Sequence, residues 1–433
     1  MSSRATKKIS HKEAQKAQNR SSNRFVLFVT LYGNILFNVM RGFKKLLVIV
    51  LCVAVIDVTA QQQQQRPRRV GSTEQTTEQK KTTQDPSEVD EGDVIKTDTQ
   101  LVSVPAVVTD ASGRPLTDLK PENFKLIEDG QPQTIANFGT TETPFEIALL
   151  LDTSGSTRDD VALIRSAANS FIEALRPGDR VGVVSFNQAQ TFGDPVAAVE
   201  VLSPLTSDRE ALRTAIDNLG ASQGTPYYDG LERVADGIFH DPPKEDVRGR
   251  RAVVALTDGV DSSSNSDFVS AKMKLARAGI ACYFIQVNTE DFVEDRLMKD
   301  CQDDGQLSLS KRQIERYRQL FFPRAKAENF DSFCQMGPFE RMSISRELYN
   351  LARREMNDLA RGSGGRSFVA ETLADARAAF ARVAADIGTQ YSLGYYPTNK
   401  TRDGKYRSIK LEVRGLKEKA QIRARDGYYA PKQ

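Results

Sequence analysis

Three short segments carry side chains that could do chemistry together. In "LLLDTSGSTRDD", residues 149–160, an apolar run meets a cluster of small oxygen donors, among them Asp152, Ser154 and Ser156. A turn with a helix cap explains such a loop by itself. That is the commoner origin of such a loop taken alone; a bound cation is the other, because the D-x-S-x-S spacing offers three oxygens and Gly155 lets the backbone curl around them. Two later loops offer the same kind of ligand: "GASQGTPYYDGL" places Thr225 at the start of a helical stretch, and "VVALTDGVDSSS" places Asp258 directly behind a strand. Taken singly, Thr225 before Pro226 is a helix start and Asp258 a turn through Gly259. Together, three hydroxyls and two carboxylates without His or Cys suit a hard divalent cation such as Mg2+ or Mn2+, and suit Zn2+ poorly. If hydroxyls bind directly and carboxylates act partly through water, the cation keeps much of its charge and an open position for an outside carboxylate. The neighbouring "DSSSNSD", residues 261–267, reads as a solvated loop.

These loops need a frame, and residues 143–389 supply one by alternating strand and helix, the pattern of a doubly wound, mainly parallel α/β sheet. "FEIALLL", "RVGVVSF", "RAVVALT" and "ACYFIQV" are buried-strand runs. Between the first two, Val161, Ile164, Ala168, Phe171, Ile172 and Leu175 recur at helical spacing, and "RPGD" stops the helix. "SDREALRTAIDNL" begins with a cap and carries an apolar stripe at Leu212, Ile216 and Leu219. "SRELYNLARREMNDLARGSGG" is a helix ending in glycines, "RSFVA" a strand, and "TLADARAAFARVAADIGTQ" a last helix leading into Tyr391. In open sheets of this kind ligands bind beyond the carboxyl ends of the strands, where the Asp152 and Asp258 loops fall. Residues 291–342 break the rhythm and form an insertion.

The flanks are strand-like. In residues 97–142, "TQLVSVPAVVTD" alternates Val102, Val104, Ala106 and Val108, and "NFKLIEDGQPQTIANF" reads as two strands around an Asp129-Gly130 hairpin. Residues 390–433 hold three more: "QYSLGYYP", "KYRSIKLEVRG" and "KAQIRARDGYYA". Neither set can bury both faces of a sheet alone. One β-sandwich built from both ends, with the α/β domain inserted, is therefore expected; Tyr395, Tyr396, Tyr428 and Tyr429 fall at its core and edges.

The first 96 residues are of another character. Residues 43–60, "FKKLLVIVLCVAVIDVTA", read as a basic flank, a short apolar core and a small-x-small end, which is a secretory signal. "MRGFKKLLVIV" makes Met40 a natural start; an uncleaved membrane anchor is the competing reading, given a second apolar run before it. Residues 61–96 are polar enough to be a disordered linker. Removing residues 1–60 turns the net charge of +3 into −5, with 50 basic against 55 acidic residues, so the basic pI makes no case for nucleic acid. Cys52 lies in the signal core and Cys282 in a buried strand, leaving Cys301 and Cys334 in the insertion as a candidate disulfide of an exported chain. Closing that loop would add about 3 to 4 kcal/mol.

The spacing D-x-S-x-S, a later Thr and a later Thr-Asp-Gly resembles the metal-ion-dependent adhesion site of von Willebrand factor type A domains. The whole stretch from 97 to 430 is similar to the acidobacterial group of exported VWFA-related proteins, through "VVTDASGRPLTDLKPENFKLIEDG", "SISRELY", "YSLGYYP" and "RARDGYYA". The resemblance implies that Asp152, Ser154, Ser156, Thr225 and Asp258 bind Mg2+ or Mn2+, and that the metal captures an acidic side chain of a protein partner at the cell surface, in the periplasm or outside the cell. It implies too that movement of the last helix, which ends near Gln390, tilts the two domains. The insertion departs from the compact pattern and would cover or reshape its edge. An enzyme fits less well: His240 is the only histidine after residue 60, and no G-x-S-x-G loop occurs. Metal-assisted hydrolysis lacks a nameable base, and a structural envelope scaffold with an unused site is the remaining alternative.

Overall fold

The computed structural model of the chain describes residues 101–140, 142–154, 161–191, 194–242, 249–298, 309–323, 336–416 and 420–432. The first strands are β1 (Val102–Thr109), β2 (Phe124–Glu128), β3 (Gln131–Gln133) and β4 (Ile135–Gly139). Asp129 at φ 45° and Gly130 at φ 82° form the left-handed pair that folds β2 back onto β3, as an Asp-Gly hairpin requires. The sequence after that turn reads as one strand, but it breaks at Thr134. β3 stays beside β2, whereas β4 joins the opposite sheet.

The central sheet begins with β5 (Glu146–Leu151), followed by α1 (Val161–Ala174), β6 (Arg180–Thr191), β7 (Asp194–Thr206) and α2 (Arg209–Asp217). Next come α3 (Tyr227–Arg233), which runs into a π-turn at Val234–Ile238, then β8 (Arg251–Thr257), α4 (Phe268–Ala278) and β9 (Ala281–Val287). The insertion supplies α5 (Glu290–Leu297) and α6 (Lys311–Phe321). It also supplies the first turns of α7 (Pro338–Ser363), which starts at Pro338 and not near Ser345 as its apolar spacing suggests. β10 (Arg366–Ala370) and α8 (Ala376–Gly388) complete the domain. Strand order is β10-β9-β8-β5-β6-β7, all parallel except the edge strand β7, which returns antiparallel from β6 and was not legible in the sequence.

β5, β8 and β9 are buried at every position, which is why their sequences are unbroken apolar runs. Alternate residues face two different cores. Ile147, Leu149 and Leu151 pack under α1, α2 and α8 through Ile164, Phe171, Ile216 and Phe380. Ala148 and Leu150 face α3, α4 and α7 through Leu231, Leu275 and Met356. Asp208 caps α2 by accepting the N–H groups of Glu210 and Ala211, and Gly279 at φ 68° ends α4. Cys282 is buried and its thiol is pushed up to about 12 by burial, an inert group. Cys301 and Cys334 lie outside the described residues.

The chain then returns to the first strands. β11 (Tyr391–Tyr395) pairs with β1 and β4, and β12 (Tyr406–Val413) pairs with β2. The last apolar stretch, read as one strand, is two: β13 (Gln421–Ala424) pairs with β1 in one sheet, and β14 (Gly427–Tyr429) with β12 in the other. The break falls at Arg425 because its buried guanidinium turns inward to the carbonyls of Gly427, Ser103 and Ala276. The two four-stranded sheets, β13-β1-β11-β4 and β14-β12-β2-β3, share a core of Val104, Leu126, Leu393, Tyr395, Leu411 and Tyr428. Tyr396 is exposed.

Where the chain crosses between sandwich and α/β domain, Arg250 holds both strands of the crossing. Its guanidinium donates to the carbonyls of Thr140 and Thr143 on the way in, and of Ile387 and Gln390 on the way out, while stacking 4.2 Å from the Phe145 ring centre. Burial holds its pKa down to about 9, so it stays charged at neutral pH. Replacing it by Ala strands four carbonyls, and Arg250→Ala should cost about 3 kcal/mol or more in denaturant melts. A fragment starting at residue 143 lacks every described neighbour of β11, so amides of 391–395 and 406–413 should exchange with solvent freely; protection equal to that of the full chain would mean that the C-terminal strands fold alone.

Candidate metal centre

β5 and β8 are parallel neighbours in register Leu151↔Leu256, so the residues that follow them emerge side by side at the carboxyl end of the sheet. The Asp152 N–H donates to the Leu256 carbonyl at 3.0 Å, which fixes where its side chain starts. One Asp152 carboxylate oxygen accepts the Ser154 N–H at 3.0 Å; the other accepts the Thr257 hydroxyl at 2.6 Å. Asp258 is held in the same manner, one oxygen accepting the Val260 N–H at 3.0 Å and the other the Thr289 hydroxyl at 2.7 Å. Thr289 in turn shares a 2.7 Å hydrogen bond with the Tyr349 hydroxyl. Gly259, at φ 74°, makes the turn between them, and a Cβ there would lie 2.8 Å from the Met356 methyl.

Thr225 arrives from the third loop by backbone pairing. The Ser222 N–H donates to the Thr153 carbonyl at 2.9 Å, joining that loop to the Asp152 segment. The Thr225 N–H donates to the Ser262 hydroxyl at 2.8 Å, and the Ser262 N–H returns a bond to the Thr225 carbonyl at 3.0 Å. Asp261 accepts the Tyr227 N–H, and the Ser264 hydroxyl accepts that of Tyr228, at the first turn of α3. The segment 261–267 is therefore a solvated loop only in part: Asn265 and Asp267 are exposed, but Asp261 and Ser264 are buried, because α3, with Pro226 at its N-cap, has no side-chain cap of its own and takes its acceptors from across the site.

Asp152, Ser154, Thr225 and Asp258 are thus brought to one corner, all under a tenth exposed. Ser156 lies outside the described residues. Thr289 and Tyr349 escaped the sequence reading, Thr257 entered it only as part of Thr-Asp-Gly, and Asp261 and Ser262 only as part of a solvated loop. Thr257 and Thr289 shared one signal, a hydroxyl residue at or just past the end of a buried strand.

Residues 147–260 match the family model of the von Willebrand factor type A domain. The chain carries a von Willebrand factor type A domain. No curated protein matches it. Similar solved structures include a von Willebrand factor type A protein from Catenulispora acidiphila, at 11% identity, with 78% of this chain and 75% of that one covered and a TM-score of 0.36. BatB from Bacteroides thetaiotaomicron is similar at 14% identity over 56% of this chain and 98% of that one, TM-score 0.32. Proximal thread matrix protein 1 of the mussel byssus is 20% identical over 34% of this chain, TM-score 0.28, and this chain spans 38% of its length.

The donor set of the A domain fits a hard cation. Among the described residues no group of three or more His, Cys, Asp or Glu is placed to hold a metal ion; this corner offers two carboxylates, Asp152 and Asp258, together with alcohol oxygens. Burial above all, and then the facing Asp258, push the Asp152 carboxyl up to about 7, against the hydrogen bonds from Ser154 and Thr257. Two acids that repel in a dry pocket are what a divalent cation would relieve. The insertion packs beside this corner: the Ser310 hydroxyl donates to the Ser262 carbonyl at 2.9 Å, Arg312 to the Ser266 carbonyl, and Arg316 holds Glu355 at 2.7 and 2.8 Å while lying 4.7 Å from the Tyr228 ring centre.

The raised Asp152 carboxyl gives a pH signature. Between its unfolded value, about 4, and about 7 in the fold, the unfolded chain has released a proton that the folded one retains, so rising pH costs stability through this window and the penalty is complete above it. In chelator, the melting midpoint attributable to this group should fall from pH 4 to pH 7, and Asp152→Asn should remove that slope. Equal slopes in both proteins would show that the Asp152 carboxyl is not raised by its setting.

Proposed function

We propose that the chain is a non-catalytic, exported binding protein whose A domain captures an acidic group of a protein partner through a divalent cation. That the domain is an interaction module follows from its family; the metal dependence and the export are the proposal. The observation that carries it is the confrontation of Asp152 with Asp258 amid hydroxyls from three loops. Asp152, Ser154, Ser156, Thr225 and Asp258 would hold the cation, with Mg2+ or Mn2+ matching the donors. Thr257 and Thr289 orient the carboxylates, and the Ser222 and Ser262 contacts keep the Thr225 loop in place. When bound, the cation supplies an electrophilic position that a partner's Asp or Glu completes. Capture of this kind would be one strong point within a wider interface.

Export rests on the signal-like residues 43–60 and on the candidate pair Cys301 and Cys334, and N-terminal sequencing of the mature protein tests it. Among the described residues no helix is long and apolar enough to cross a membrane.

Calorimetric titration of the full chain with MgCl2 should register one binding event, absent from Asp152→Ala although that variant keeps its far-UV spectrum. Partner capture from an envelope extract should be reversed by chelator and lost in the same variant. Silence in the titration, or capture indifferent to chelator, would leave a scaffold with an unused site.

A further inference from the structure

We propose a second binding site, remote from the metal corner, that takes an extended acidic segment of a partner protein as an added β-strand. It is the cleft of about 1300 Å3 between β10, the ends of α7 and α8, and the β1–β13 edge of the sandwich. The metal loops follow the carboxyl ends of the parallel strands, whereas this cleft reaches the amino end of β10.

Its charge is unbalanced. Five arginines line it, Arg354, Arg361, Arg366, Arg382 and Arg423, against two acids, Asp358 and Asp386. Both acids are already engaged: Asp386 by Arg423 at 2.5 Å and Arg366 at 3.9 Å, and Asp358 by Lys272 at 2.5 Å. Arg354, Arg361 and Arg382 are exposed, and among the described residues none forms a salt bridge within 4.0 Å. A cleft lined by an excess of one charge focuses a field that draws the opposite one, here an anion.

Its backbone is unpaired as well. β10 pairs with β9 on one side only and is the last strand of its sheet. The Ala370 carbonyl accepts the Asn288 N–H on the β9 side, so by alternation Ser367 and Val369 turn their backbone groups to the open edge. The Val369 carbonyl is taken by Arg382 at 3.2 Å, which leaves the Val369 amide and both Ser367 groups for a newcomer. The Ser367 hydroxyl is enclosed and, among the described residues, has no hydrogen-bond partner. An exposed edge of this kind is a template for another strand. Phe368, Pro115 and Ile422 supply apolar lining between the guanidiniums. Alternation of acidic and apolar side chains along one strand would therefore meet both chemistries, and a chain of sugars or lipid headgroups would leave the edge amides unused.

The probe is a fluorescein-labelled peptide of about eight residues alternating Glu and Val, the length of a strand. Anisotropy is read on the full chain at low ionic strength in EDTA, so that the metal corner is silent and its failure is scored separately. Binding should exceed that of the matching Lys–Val peptide. The double variant Arg354→Glu/Arg382→Glu should weaken it by about tenfold or more. Val369→Pro, which deletes the outward amide at an edge where proline is tolerated, should weaken it too, and in the wild-type chain the amides of 367 and 369 should gain protection from exchange when the probe is added. No preference for the acidic peptide overturns the proposal. So does heparin or an anionic vesicle displacing the probe while amide exchange at 367 and 369 stays unchanged, which would make the cleft a general anion binder.

Discussion

The A domain turns on two carboxylates placed at the ends of adjacent buried strands. β5 and β8 run parallel and in register, so Asp152 and Asp258 have no freedom to avoid each other, and both are almost wholly withdrawn from water. Burial first, and the repulsion from Asp258 second, disfavour the charged form of Asp152, which keeps its proton toward neutrality. Everything nearby serves to hold that unfavourable arrangement: Thr257 on one acid, Thr289 and Tyr349 on the other, and the positive-φ turn at Gly259 between strand and loop. Such a corner persists because the buried parallel strands beneath it fix where both side chains start.

Rigidity reaches the third loop by a different route. Thr225 precedes a helix whose first turn lacks a cap of its own, and the segment after β8 supplies the missing acceptors. The loop bearing Asp258 and the helix following Thr225 are therefore one hydrogen-bonded unit. The insertion leans on that unit through Ser310 and Arg312, and its Arg316 reaches Glu355 on α7. Displacement of the insertion would be felt by Thr225 before it was felt by Asp152.

At the other end of the sheet, guanidiniums replace carboxylates as the organising groups. Arg250 gathers the carbonyls of both chain crossings, and Arg425 ties β1 and β14 to α4. These are buried cations satisfied by backbone oxygens rather than by acids; burial lowers the pKa of both, yet each carbonyl they reach is itself a dipole in need of a donor, which fixes direction. The α/β domain and the sandwich are thereby joined through shared backbone, and of the arginines in the neighbouring cleft Arg423 also bridges the two, to Asp386 and the Gly364 carbonyl.

What the sequence determined by itself was the set of elements whose period is set by burial. Uninterrupted apolar runs gave β5, β8 and β9, the helical stripe from Val161 to Leu175 gave α1, and D-x-S-x-S with Thr225 and Asp258 pointed to the corner, since residue type and spacing alone carry that chemistry. Tertiary structure decided what depends on partners far along the chain. β3 and β4, and likewise β13 and β14, each read as one strand in the sequence, and their division follows from which sheet each half meets. β7 is legible only once β6 stands beside it. Asp261 and Ser264 looked like solvent-facing residues because polar side chains usually are; they are buried because a helix start 35 residues away needed their oxygens. Local sequence reports the cost of exposing a residue, and only the fold reports which distant donor or acceptor removes the cost of burying it.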